Sequence, residues 1–245
     1  RIGLAFIFIT LSSTQVYAGC QVNGVTYNPQ SGLVGFFPNI TRTQMLAWTS
    51  GDVSTCNVTD SSLNDMSDLF KNKTSFNQDL SAWDTSSVTN MSSMFYGATS
   101  LTSVSLPNTG AVTDMNSMFN SATSLTSVSI PQTGAVRHMS GMFAFATSLT
   151  SISLPKTGAV TDMSYMFYGA TSFAQDIRAW DVSSVSNFSE TFSGATAMIA
   201  AYSSTPNWNI TPTAAWFTPD TTAPTMTITA AEVNDGDTSN DGTLS

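Results

Sequence analysis

Charge is what this chain has least of. Only 9% of its 245 residues are Asp, Glu, Lys or Arg, and seven basic residues against 16 acidic ones leave a formal net charge of −9. The pI is about 4.1. No basic patch occurs anywhere, so a surface that repels phosphate backbones and anionic headgroups excludes nucleic-acid binding and electrostatic membrane docking. Histidine occurs once, at His138, which leaves little for imidazole chemistry or a metal centre to use. The two cysteines, Cys20 and Cys56, form no Cys-x-x-Cys pair, and a thiolate zinc site or redox motif has no support. The acids Asp84, Asp176, Asp181 and Glu190 are scattered with no nucleophile motif near them, so neither an enzyme nor a cofactor is expected.

Long apolar runs are missing too. The one at the start, Ile2 to Leu11, is too short to span a bilayer comfortably. With Arg1 before it and Val16-Tyr17-Ala18 after it, residues 1–18 read as a secretory signal peptide cut after Ala18. The expected location is therefore secreted or cell-surface, with no membrane insertion once the signal is removed. In an exported chain Cys20 and Cys56 are disulfide candidates. "YAGC" also reads as a lipoprotein site that would put a lipid on Cys20, although Tyr17 stands where that signal prefers Leu. Both fates of Cys20 stand at this stage.

What the chain has is repetition. Leu63, Val88, Val112, Val136, Val160 and Val185 fall in one column, with successive members 24 or 25 positions apart, and a fixed period of this size marks a stacked-repeat architecture. Each unit touches only its neighbours in such a stack. In "VTNMSSMFYGA", Met91, Met94, Phe95 and Ala98 lie at i, i+3, i+4 and i+7, which predicts a short helix with one apolar face. The methionines read as filling between stacked units rather than as a metal stripe. Asn90, Asp114, His138, Asp162 and Asn187 stand where a helix N-cap belongs. His138 between Asp114 and Asp162 is then a column variant, not a ligand set.

After each predicted helix, "LTSVSLP" at 101–107, with echoes at 125–131 and 149–155, alternates apolar and polar residues as a half-buried strand does. Ser103, Ser105, Ser127, Ser129, Ser151 and Ser153 would then form outward hydroxyl ladders, the candidate binding face. Two units are one residue longer and carry a Trp, "SFNQDLSAWDTSSV" and "SFAQDIRAWDVSSV". Trp83 and Trp180 are expected to cover the stack near its ends or fill a wider corner, and are weaker candidates for stacking on a sugar ring. The fold expected from these patterns is an α/β repeat solenoid, a leucine-rich-repeat-like stack of about six units, each a short strand plus a short helix.

"WDTSSVTNMSSMFYGATS" and "FNQDLSAWD" closely resemble the repeat of bacterial BspA-like leucine-rich-repeat surface proteins, over about residues 61–200. The resemblance implies an exported solenoid associated with attachment to cells or matrix proteins, and it brings no catalytic residues. The partner expected is an extracellular protein or glycan, and the alternative is a structural spacer in a larger surface protein. Residues 19–60 read as an N-terminal cap and 201–224 as a C-terminal cap and linker. "DTTAPTMTI" resembles the opening strand of bacterial immunoglobulin-like modules, so 225–245 reads as the start of one and the chain as a monomeric piece of a longer protein. Asp237 and Asp241, with Ser239 between them and Gly242 after, have the spacing of half a calcium loop. A plain solvated acidic loop is the competing reading.

Overall fold

A buried backbone N–H must find an acceptor, and where these N–H groups go decides the architecture. The computed structural model describes residues 20–27, 42–54, 56 and 64–217. In chain order these hold the antiparallel pair β1 (Cys20–Val22) and β2 (Val25–Tyr27), helix α1 (Arg42–Leu46), strands β3 (Ser103–Ser105), β4 (Ser127–Ser129) and β5 (Ser151–Ser153), helix α2 (Thr196–Tyr202) and a 3₁₀ turn at Ala214–Phe217. The units stack in parallel register: a line of bridges runs Asp65, Asn90, Asp114, His138, Asp162, Asn187.

The expected α/β solenoid of six strand-plus-helix repeats is not what forms. Among the described residues the two α-helices both lie outside the Met–Phe segments, and a strand forms in only three units. The backbone gives the reason. An α-helix holds every φ near −63°, whereas Ser93 sits at +54° and Gly97 at +67°, with Ser117 and Ser121, Gly141 and Phe145, and Tyr165 and Gly169 repeating the pair. Met94 and Ala98 donate three residues back to Met91 and Phe95, closing two turns whose third residue has positive φ. The intervening N–H groups leave the unit altogether: Met91, Ser93, Phe95 and Gly97 donate to the carbonyls of Asp114, Asn116, Met118 and Asn120 at 2.8–2.9 Å. Four such bonds tie each unit to the next.

Side chains follow the turns. Met91, Met94, Phe95 and Ala98 are fully buried, as are their counterparts in the next two units. The phenylalanines stack in a continuous column: Phe70, Phe95, Phe119, Phe143, Phe167 and Phe192 have successive ring centroids 5.4–5.8 Å apart and planes within 12°. Such offset pairs contribute about 0.5–1.5 kcal/mol each beyond their burial. A second column consists of Thr85, Thr109, Thr133 and Thr157, all buried, whose hydroxyls donate to the carbonyls of Asn108, Gln132, Lys156 and Asp181 in the following unit. Hydroxyls thus do inside this stack what backbone amides do elsewhere.

The column of Asn and Asp residues caps no helix. Asp65, Asn90, Asp114, Asp162 and Asn187 each accept, through Oδ1, the N–H two residues on. This is the Asx turn, a local bond that competes with helix. His138 has no such oxygen, and there Asn116 of the preceding unit accepts the Ser140 N–H at 2.9 Å instead.

Both ends of the stack are closed by donors and acceptors of the missing neighbour. At the first unit the Arg42 guanidinium donates to the carbonyls of Asp65 and Ser67 at 3.0 and 2.6 Å, and Trp48 packs edge-on against Phe70 and Phe76. Cys20 and Cys56 are joined in a disulfide there. At the last unit Phe192 N–H donates to the Ile210 carbonyl and Glu190 N–H to Thr211 Oγ1, while Trp208 and Trp216 cover Phe192. The three-stranded sheet is closed likewise. The Gln175 amide bonds both backbone groups of Ile152 on β5, at 2.8 and 3.0 Å, so the longer Trp-bearing unit ends the sheet with a side chain in place of a strand.

Two tests follow from this geometry. Ser117, at φ +52°, occupies a left-handed position, which costs a non-glycine residue roughly 1–2 kcal/mol. Ser117→Gly is expected to raise the melting midpoint relative to Ser117→Ala. In a helix the order would reverse, because glycine there is about 0.5–1 kcal/mol worse than alanine. The second test is acid. The hydroxyl and N–H of Ser86 and Ser183 hold Asp84 and Asp181 below the usual carboxylate range. At Asp65 burial pushes the other way, but the Ser67 bonds and the Arg42 charge outweigh it. Folded-state values that lie below the unfolded ones, near pH 4, give stability that is complete about one pH unit above the unfolded values and lost as pH falls through the folded ones. The midpoint should hold level from neutral pH to about pH 5 and then fall; a midpoint that rises on acidification would contradict it.

Candidate functional site

The three strands place their serines by simple alternation. Val104, Val128 and Ile152 turn into the core, at 8%, 3% and 4% exposure. The flanking serines therefore face out, in register: Ser103 beside Ser127 beside Ser151, and Ser105 beside Ser129 beside Ser153. Neighbouring strands lie about 4.8 Å apart, so the hydroxyls form two straight rows at that spacing. Together with residues 77–81, which include Asn77 and Asp79, they line an open groove of about 660 Å³. Unlike the threonine hydroxyls, the six serine hydroxyls make no side-chain hydrogen bond among the described residues. A parallel sheet is normally covered on both faces; among the described residues this one is covered on one.

The other sequence candidates are placed elsewhere. Trp83 is 1% exposed, packs against Phe70 and donates its indole N–H to the Val53 carbonyl at 3.0 Å, so it offers no face to a sugar. Trp180 is half-buried over Phe167, with ring centroids 6.3 Å apart. Asp237 and Asp241, residues 1–18, expected to be a signal peptide, and residues 225–245, expected to open an immunoglobulin-like module, lie outside the described residues.

The acids and His138 are placed by the turns of the stack. His138, Asp114 and Asp162 are bridged through their backbones, and both carboxylates accept the N–H two residues on. Among the described residues no three His, Cys, Asp or Glu side chains come together as a metal site. Asp176 is bonded by the Arg178 guanidinium at 2.8 and 3.0 Å, which holds its carboxyl below the usual range. Burial, with the Asp176 charge beside it, pushes the Tyr202 hydroxyl up. No helix among the described residues is long and apolar enough to cross a membrane.

One cleft was not read from the sequence. Over the turn column, Phe145, Tyr165 and Tyr168, with Asn120, Ser140 and Glu190, line an open cleft of about 580 Å³. The signal was present as a break in two columns. Phe145 stands where other units have Ser121, Gly97 and Gly169, and Tyr165 where they have Ser93, Ser117 and Gly141.

No curated protein and no solved structure matches the chain. One family matches twice, over residues 43–151 and 126–221, the overlap being what a repeated unit allows, and the two matches together take in well over half of the sequence. With its stacked units inside both matches, the chain belongs to the family described as "Mycoplasma protein of unknown function, DUF285".

Proposed function

We propose that this is a secreted or cell-surface binding protein that holds an extracellular protein or glycan against the exposed serine face of its three-stranded sheet. The observation that carries the reading is the pair of serine rows, in register on β3, β4 and β5 and without side-chain partners among the described residues. Regular hydroxyls of this kind bond a polar partner without the desolvation cost of charges. The low charge of the chain fits a contact that does not depend on ionic attraction. The resemblance of the repeat to BspA-like surface proteins and the signal-like residues 1–18 support an extracellular setting. A spacer role in a larger surface protein is the alternative, and no catalytic step is assigned.

The test is saturable binding of the whole chain to immobilised extracellular matrix proteins, cell surfaces and polysaccharides, compared with Ser127→Arg/Ser151→Arg. Both serines point outward, so the variant should still fold, its melting midpoint lowered by the repulsion of two adjacent arginines by no more than about 1 kcal/mol in stability, and should bind at least about tenfold more weakly. Equal affinity in the two proteins would move the contact off this face. Absence of binding to every surface would leave the spacer reading.

A further inference from the structure

Phe145 and Tyr165 are the large aromatic side chains that the repeat leaves in solvent, at 47% and 46% exposure. Both also sit in the left-handed region, at φ +57° and +54°. A bulky residue there is a genuine outlier, because its Cβ crowds its own backbone. The repeat offers an unstrained solution at both positions and uses it in other units, with Gly141 in the Tyr165 column and Gly97, Gly169 and Gly194 in the Phe145 column. Neither ring is needed for the core, since the Phe143 and Phe167 column runs on beside them. Backbone strain kept where packing does not require it points to use.

The rings are arranged around a common space. Phe145 and Tyr168 meet edge to face with centroids 5.2 Å apart, and Tyr165 and Tyr168 lie 5.8 Å apart at 55°. Gly169 makes room for this: a Cβ there would fall 2.9 Å from the Phe145 ring. Beside the rings stand an amide, Asn120, a hydroxyl, Ser140, and a carboxylate, Glu190. Among the described residues no Lys or Arg lines the cleft.

We infer that the Phe145–Tyr165–Tyr168 cleft is a second binding site, separate from the serine face, that takes a neutral pyranose residue of a glycan. A pyranose has one face of C–H groups, which packs on an aromatic ring, and a rim of hydroxyls, which bond amide, hydroxyl and carboxylate side chains. The lining supplies both, in an open cleft of about 580 Å³. A single acidic side chain and no basic one selects against sialylated or sulfated sugars by like-charge repulsion. The ring faces are exposed without a large contiguous apolar patch, which suits a single sugar ring better than a broad protein contact.

The experiment is titration of the full chain with lactose, cellobiose, N,N′-diacetylchitobiose and 3′-sialyllactose, read by tyrosine fluorescence and calorimetry. Saturable binding of at least one neutral disaccharide, and weaker binding of 3′-sialyllactose than of lactose, is the expected result. Phe145→Gly and Tyr165→Ser should each weaken binding about tenfold. Phe145→Gly removes backbone strain, so its melting midpoint should be no lower than that of the parent and lost binding cannot be assigned to unfolding. Ser127→Arg/Ser151→Arg should bind the sugar unchanged, which separates this site from the serine face. Failure of all four sugars to saturate, undiminished binding by both cleft variants, or preference for 3′-sialyllactose would overturn the assignment, the first of these leaving the rings to a protein partner.

Discussion

The stack depends on the direction in which the Met–Phe segments aim their N–H groups. In each unit four of them bond the carbonyls of the next unit, and the remainder close turns within the segment. A segment built this way cannot be complete alone, because its donors need a unit on one side and its carbonyls a unit on the other. An orphaned buried donor or acceptor costs about 1–3 kcal/mol, more than a made bond contributes net. Termination is therefore a physical necessity. Arg42 at one end and the 205–217 segment at the other supply groups of the required sign: a guanidinium for the open carbonyls, and a carbonyl and a hydroxyl for the open amides.

The phenylalanine column and the threonine column obey the same constraint. Because units repeat at 24 or 25 residues in register, any residue placed once is placed above and below itself. Phenylalanine turns this into near-parallel stacking, with the Phe119 ring within 3° of both Phe95 and Phe143. Buried threonine turns it into a hydroxyl bonded across every interface. Deleting a buried ring of this kind ordinarily costs about 3–5 kcal/mol. The low charge of the chain suits the same constraint, for charges stacked on themselves would repel, whereas stacked Ser, Thr and Asn carry no charge to repel.

The period, the buried Met–Phe column and the strand alternation at 103–105, 127–129 and 151–153 were legible in the sequence, since all three are patterns of side-chain burial. The backbone of the Met–Phe segment was not. Over eight residues a 3.6-residue helix and two four-residue turns bury the same i, i+3, i+4 and i+7 positions, so Met91, Met94, Phe95 and Ala98 fit either. What separated the two was a turn signal, the Gly of "MFYGA" and the Asn of "LFKN" at the third position of the second turn, where positive φ is required. Arg42 was unreadable for another reason: its role is set by carbonyls that only the finished stack exposes. Of the candidate surfaces, the serine rows followed from alternation, whereas Phe145 and Tyr165 were visible only as departures from their columns. Trp83, expected first to cover the stack near its end or fill a wider corner and only more weakly to meet a sugar, is core, enclosed by Phe70 and the Val53 carbonyl.

The claim on which all of this rests is that the Phe119 N–H bonds across the stack to the Met142 carbonyl, at 2.9 Å, and not back along the chain. The most direct check is nuclear magnetic resonance detection of scalar coupling through that hydrogen bond in isotope-labelled protein. Coupling from the Phe119 nitrogen to the Met142 carbonyl carbon is the result expected. Coupling to the carbonyl of Met115, four residues earlier, would mean that the segment is a helix and that the units do not join in this way.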